Sequence, residues 1–342
     1  MYKLKIFGLG RGKFIPSTKF RLIELKDDFK EQCIDIDLYI PQVSSYPPKK
    51  KLYRLWWGLR ALFDRLPILF KQKDYDIVIL QREMISTLYT LERFISKPFI
   101  FDVDDAIHLH QRFGSIDKIA MKASAIVVCN TFLAEYYKKY NDNVYIIPTP
   151  VNIKKYCPSY QYESKKSVII GWIGTSSNFK SLYLIEKALN ELMSNNDNVK
   201  LKIVSNEKPE FTYIDSKQYI FKNWSEKDDV KDIQSFDIGI MPLIDNEHSK
   251  GKCAFKMLQY MACGVPVVST CLPMNQQILN LRDAGFCVNG YENEWIQALQ
   301  HLIENIDKRL ECGKNGVKII EKHYSTKIYV QKYINIFNRI NK

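Results

Sequence analysis

The sequence predicts an α/β protein built from two doubly wound parallel sheets, and three observations carry that expectation. Short apolar runs of strand type alternate with helical patterns, which favours parallel strands joined by crossover helices. The alternation occurs twice, broken around 149–166 by Pro150, Pro158 and a polar run that reads as an interdomain linker. At 342 residues and 46% apolar content, the chain has room for two full cores, on a prior of roughly 150 residues per domain.

The first series opens with a strand over 3–8, a glycine-rich turn at Gly8, Gly10 and Gly12, and a helical pattern over 19–30. Strands are expected next at 34–40, 77–81, 99–103, 125–129 and 144–147. Between the strands at 34–40 and 77–81 runs a basic segment with Lys49, Lys50, Lys51, Arg54, Arg60, Arg65, Lys71 and Lys73. Within it Leu52, Leu55, Trp56, Leu59, Leu62, Phe63 and Leu66 follow helical spacing, and Pro67 ends the helix. Two readings stand for this helix: its leucine stripe faces the core of the first domain, or residues 49–73 make a peripheral contact with an anionic membrane; both hold together if the leucines face inward while Lys49, Lys50, Lys51, Trp57 and the arginines touch headgroups. The second series has strands at 168–173, 200–204, 218–221, 238–241 and 265–269, with helices over 182–193 and 226–235 and a last helical pattern over 327–339. The expected boundaries are 1–160 for the first domain, 161–324 for the second and 325–342 for a C-terminal helix.

A formal net charge of +12 attracts anions, and nucleic acid, acidic lipid and phosphorylated substrates all qualify. No aromatic-basic recognition motif supports nucleic acid, so a non-enzymatic nucleic-acid binder rests on charge alone. The eight cysteines contain no Cys-x-x-Cys pair, which indicates neither a zinc site nor a disulfide framework and suits a reducing cytoplasm. The apolar start at 4–9 is brief and runs into Arg11, Gly12 and Lys13, so no secretory signal is expected. No apolar run approaches the roughly 18 residues that span a bilayer. His108 and His110 would share one face of a strand but form an incomplete ligand set; they read better as two polar residues at a strand end or loop, and no metal is expected. The glycines at 8, 10 and 12 lack the spacing of the dinucleotide fingerprint, which argues against an oxidoreductase.

The chemistry concentrates in two stretches of the second series. Gly251-Lys252-Cys253-Ala254-Phe255-Lys256 opens a helix whose apolar positions Phe255, Leu258 and Met261 recur at helical spacing, and Pro266-Val267-Val268 starts a buried strand after it. A helix N-terminus presents unpaired N–H groups and the positive end of its dipole, so a diphosphate fits there beside Lys252 and Lys256. Earlier, Gly171-Trp172-Ile173-Gly174-Thr175-Ser176 runs a strand into a turn of small residues that lets backbone amides approach phosphate, with the Thr175 and Ser176 hydroxyls as further donors.

These residues resemble the signature of family 4 (group 1) glycosyltransferases of the GT-B fold, in the bacterial surface-polysaccharide branch. The resemblance rests on Met261-Ala262-Cys263-Gly264-Val265-Pro266-Val267-Val268, on Lys250-Gly251-Lys252-Cys253 through Gln259-Tyr260, and on Phe236-Asp237-Ile238-Gly239-Ile240-Met241-Pro242-Leu243. It implies two Rossmann-like domains facing a central cleft, the second holding a nucleotide-diphosphate sugar and the first a saccharide acceptor. It also implies that 325–342 crosses back to the first domain, and that transfer proceeds with retention and without a cofactor or catalytic metal.

Gly174 and Lys180 match the family's diphosphate clamp, but Thr175 stands where the clamp has arginine. The family's paired acids fall at Gly251 and Gln259, and neither acid is present. Gln259 can still bond the ribose, while Gly251 shifts attention for the sugar to Glu247 and His248. Asn223 and Trp224 resemble the loop around the nucleobase, where Trp224 either stacks on the base or belongs to the core. On the first domain Asp102, Asp104 and Asp105 crowd a strand end, the usual place of a ligand crevice. Asp104 and Asp105 resemble a branch pattern and are the expected catalytic pair for the acceptor hydroxyl, with His108 beside them. Gly10, Arg11, Arg21 and Arg82 are the expected acceptor-binding residues, the two last being equally suited to structural ion pairs. The expected setting is the inner face of the cytoplasmic membrane, with a lipid-linked saccharide as acceptor. A nucleotide-sugar epimerase of the same fold is the alternative enzyme.

Overall fold

The computed structural model describes residues 4–13, 15–159 and 167–341; the start of the strand expected from residue 3 and the linker's 160–166 lie outside them. The chain divides into two compact units, one comprising the chain through Pro150 with Gly251–Cys253 and the segment from Thr326, the other Val151–Lys250 with Ala254–Ser325.

The first unit holds β1 (Lys5–Leu9), β2 (Asp35–Tyr39), β3 (Ile77–Gln81), β4 (Phe99–Val103), β5 (Ala125–Val128) and β6 (Val144–Ile146). They form one six-stranded sheet in the order β2-β1-β3-β4-β5-β6, and every pairing is parallel. β3 and β4 are buried along their whole length, which is why they read as unbroken apolar runs. One face is closed by Leu22, Leu25 and Phe29 together with Tyr329, Tyr333 and Phe337 of the Thr326–Ile340 helix. The pattern over 19–30 resolves into Pro16–Arg21, a 3-10 turn Ile23–Leu25, and Lys26–Glu31.

A buried charge ties the C-terminal helix to this sheet. Asp102 on β4 accepts from Arg21 Nε at 2.8 Å, from Tyr329 Oη at 3.2 Å and from the Tyr333 hydroxyl. Both members of the ion pair have no exposed side-chain surface. Burial opposes the Arg21 charge, yet Asp102 beside it leaves its pKa well above the ordinary value.

The helix Arg54–Arg65 corrects the reading in which its leucines face inward. Leu52, Leu55, Trp56, Leu59 and Phe63 are exposed, whereas Ala61 and Arg65, on the opposite side, are buried. Arg65 is held by backbone and hydroxyl oxygens, donating to Ala61 O (2.9 Å), Val43 O (3.1 Å) and Ser45 Oγ (3.0 Å). Only Leu62 and Leu66, from the predicted stripe, pack against the core.

The second unit holds β7 (Val168–Ile173), β8 (Val199–Ser205), β9 (Tyr219–Asn223), β10 (Ile238–Met241), β11 (Val267–Thr270) and β12 (Gly285–Val288). They too form a six-stranded, wholly parallel sheet, ordered β12-β11-β10-β7-β8-β9. Counted within the unit this is the doubly wound order 3-2-1-4-5-6, whose direction of winding reverses between β7 and β10. β12 escapes the sequence reading because it is four residues long and only Val288 in it is fully buried. The helix expected over 182–193 breaks into Phe179–Tyr183 and Glu186–Asn195.

Candidate functional site

In an open parallel sheet the helices leave a crevice beyond the strands' carboxyl ends where the winding reverses, and ligands bind there. In the second unit that point lies at the end of β7. Gly174 follows the strand, its N–H donating to Val204 O at 3.0 Å, and the chain then turns through Ser176–Asn178. A Cβ on Gly174 would lie 2.2 Å from Lys256 Nζ and 2.8 Å from the Trp172 ring, so only glycine leaves this corner open. Lys256 Nζ lies 4.6 Å from the Trp172 ring centroid, a cation–π contact that fixes the ammonium beside the turn. The helix that carries Lys256, Phe255–Ala262, is locked to the same strand, because Ile173 N donates to Tyr260 Oη at 3.1 Å. Tyr260 is fully buried. Tyr260→Phe is therefore expected to leave that amide unpaired and to cost about 1–3 kcal/mol, read as a lower Tm, with weaker nucleotide binding as Lys256 drifts.

The turn's hydroxyls are organised locally. Thr175 Oγ1 lies 2.8 Å from Ser177 Oγ and accepts from Asn178 Nδ2 at 2.9 Å. Asn206, just past β8, accepts from Ser176 N at 2.8 Å and donates to Ser176 Oγ at 3.1 Å. Lys180 is exposed on the following short helix. Gln259, 9% exposed, sits on the Phe255–Ala262 helix. Asn223 ends β9, and Trp224 is 47% exposed, so it is not a core residue.

The helix expected to open at Gly251 begins at Phe255, after Ala254 in the left-handed region at φ 53°. Gly251, Lys252 and Cys253 group with the first unit instead. Asn130 Nδ2 donates to Lys252 O at 3.1 Å, and Cys253 packs against that unit's core, where burial pushes its thiol up. A Cβ on Gly251 would lie 2.6 Å from Ala106 Cβ and 3.0 Å from Ala106 N, which leaves no room there for an acid.

In the first unit the winding reverses between β1 and β3. Gly10 donates to Tyr39 O at 3.0 Å, and Arg11 follows it with only 2% of its surface exposed. Arg11 faces Glu83 at 3.5 Å, donates to Tyr46 Oη at 3.1 Å and lies over the Tyr46 ring at 4.6 Å. Arg82, in the left-handed region at φ 53°, pairs with Asp104 at 2.6 Å and Asp105 at 3.5 Å. Burial would raise the Asp104 carboxyl, but the guanidinium groups of Arg82 and Arg21 hold it below the ordinary value. Asp105 is the more open of the two, with 27% of its side chain exposed against 8%.

His108 and His110 lie in a 3-10 turn, Ile107–His110, beyond the strand end rather than on a shared strand face. His108 stacks on Tyr136 at 3.8 Å between centroids. Arg21, offered as an acceptor residue or an ion-pair partner, occupies the ion-pair position described above. Asp102 is spent on the same pair, so the run from 102 to 105 does not present a common ligand set. Among the described residues no three His, Cys, Asp or Glu side chains come together in a group able to hold a metal.

Sequence reasoning passed over Glu83, Tyr46, Asn206 and Tyr260 as site residues. Glu83 and Asn206 each follow a strand end, the one signal available. Tyr46 had none, and Tyr260 stood only as part of the family motif, since their contacts are with residues 35 and 87 positions away.

Residues 167–305 match the family model described as Glycosyl transferases group 1. No curated protein matches the chain by sequence. Among solved structures, sucrose-phosphate synthase from Thermosynechococcus elongatus is similar over 98% of this chain and 99% of its own, at 12% identity and a TM-score of 0.73. HepE of Anabaena, solved in complex with UDP and glucose, is similar over 98% and 99% at 13% identity and a TM-score of 0.70. WaaG, a glycosyltransferase involved in lipopolysaccharide biosynthesis, is similar over 97% and 99% at 12% identity and a TM-score of 0.68. The fold is GT-B, and the stretch that matches the group 1 model falls almost wholly in the second unit.

Proposed function

We propose that the chain is a glycosyltransferase that moves a sugar from a nucleotide-diphosphate sugar to a saccharide acceptor. The observation that carries this reading is the corner at Gly174, where Lys256 stands over Trp172 beside an open backbone turn, within the group 1 domain. A diphosphate there would take backbone donors from the turn and charge from Lys256, with Lys180 on the exposed side. Gln259 is assigned to the ribose and Asn223 with Trp224 to the base. The exposure of Trp224 suits stacking.

On the first unit, Arg11, Arg82, Asp104 and Asp105 are assigned to the acceptor. Asp105 is the better candidate to orient a hydroxyl, because it lies farther from Arg82 than Asp104 does and more of its side chain is exposed. In the transfer, the acceptor oxygen bonds to the anomeric carbon as the bond from that carbon to the diphosphate oxygen breaks. The acceptor proton passes to the leaving diphosphate, so charge and atoms balance without a metal and with retention. The protein's part is positioning and stabilisation of the charge that develops on the diphosphate. The acceptor in this reading is a lipid-linked saccharide of surface-polysaccharide assembly, met at the inner face of the cytoplasmic membrane. Among the described residues no helix is long and apolar enough to cross a membrane.

Thermal stabilisation against UDP, GDP, ADP, CMP and dTDP tests the donor site. UDP is the expected ligand, given its presence in the HepE complex. Saturation at a hundred times Kd stabilises by about 2.7 kcal/mol. No shift with any nucleotide would overturn the assignment, and an altered sugar released without acceptor would favour the epimerase.

A further inference from the structure

We propose that the outward face of residues 49–71 is a docking surface for an anionic lipid bilayer. Helical spacing puts Leu52, Leu55, Trp56, Leu59 and Phe63 on one side of the Arg54–Arg65 helix, and that side faces solvent. Leu52 is 86% exposed, Leu55 78%, Trp56 65% and Phe63 69%, and Phe70 beyond the helix is 71% exposed. Solvating that much leucine and aromatic surface on one side opposes the hydrophobic effect unless something covers it.

The surrounding charge identifies the cover. Lys49, Lys50, Lys51, Arg54, Arg60 and Lys71 are all exposed around the apolar face. Asp64 is the one acid in the segment, and it is turned inward, accepting from Val43 N at 2.9 Å. A second copy of this chain would bring an equal cationic face and a formal charge of +12 against the first. A nucleic acid answers the cations but not the leucines. Anionic headgroups over acyl chains answer both, with Trp56 at the interface between them.

The surface is also tied to the acceptor side of its own unit. Trp57 Nε1 donates to Ser44 O at 2.9 Å, and Arg65 donates to Val43 O and Ser45 Oγ. Ser45 Oγ in turn donates to Arg11 O at 3.3 Å, and Ser45 O accepts from Ser86 N at 2.9 Å. The strap 43–46 thus joins the docking face to Arg11 after β1 and to the loop after β3. A bilayer bound at the helix holds a lipid-linked acceptor near those residues. That last consequence rests on the function proposed above, whereas lipid binding itself does not.

The test is sedimentation of the full chain with vesicles of phosphatidylcholine alone and of phosphatidylcholine mixed with phosphatidylglycerol. Binding is expected to the mixed vesicles, falling as salt rises, with a blue shift of tryptophan emission. The triple variant Leu55→Ser, Trp56→Ser, Phe63→Ser is expected to lose at least about tenfold in vesicle affinity. Lys49→Glu, Lys50→Glu and Lys51→Glu together are expected to do the same. These side chains face solvent, so an unchanged Tm and an unchanged nucleotide shift verify the fold. Parent protein that ignores the mixed vesicles, or variants that bind as the parent does, would overturn the proposal. A parent dimer in sedimentation equilibrium that the triple variant dissolves would assign the face to a second copy instead. Vesicle binding without any nucleotide stabilisation would sink the donor site and leave the docking surface standing.

Discussion

Replacing Arg21 with methionine is expected to destabilise the first unit by about 3–5 kcal/mol, because it strands the Asp102 carboxylate in a site with no exposed surface. For a unit of this size that corresponds to a fall in Tm on the order of 10 °C. The two tyrosine hydroxyls on Asp102 soften the loss but carry no compensating charge. The double variant Arg21→Met, Asp102→Leu should recover most of the stability, since the cost lies in the unpaired charge rather than in the missing bond. This measurement also decides the residue's role. If Arg21 binds acceptor, its loss will raise KM with little change in Tm; if it is structural, Tm will fall and the refolded fraction will keep its KM.

Lys256→Ala is expected to weaken nucleoside diphosphate binding by about 1.5–3 kcal/mol, or roughly 10- to 150-fold in Kd. The ammonium lies over Trp172 and beside Gly174, so it is placed before any ligand arrives. Gly174→Ala should lose affinity to a similar degree without removing a charge, because its Cβ would displace Lys256 Nζ from the space it now holds and press on the Trp172 ring. Lys180→Ala should cost less, since its side chain is exposed and its charge is screened. Calorimetric titration with the nucleotide found in the panel reads all three. A larger loss at Lys180 than at Lys256 would move the diphosphate to the other side of the turn.

The strands were legible because parallel strands under helices bury both faces and leave unbroken apolar runs. Val168–Ile173 and Phe99–Val103 stand where the pattern predicts them, and the short, half-exposed Gly285–Val288 does not announce itself. The Gly174 turn was visible as small residues after a strand. Its partner was half visible: Lys256 was expected near phosphate, but its neighbour Trp172 was read only as strand. Gly251 shows the opposite case. Its missing acid was noticed in the sequence, and the reason, Ala106 packed against its α-carbon, lies 145 positions away.

By itself the sequence determined that this chain has two doubly wound sheets and which turns carry small and cationic residues. Those are local properties: periodicity follows from the pitch of a helix or the pleat of a strand, and turn chemistry from the residues in the turn. Only the tertiary structure decided which of five neighbouring charges are spent. Arg21 and Asp102 neutralise each other inside the core, while Arg82 holds Asp104 and leaves Asp105 more open. It also decided that Leu55 and Leu59 of the Arg54–Arg65 helix face outward while Leu62 packs inward. Amphipathic spacing gives a helix two faces, and which of them meets the protein depends on the surface it lands on.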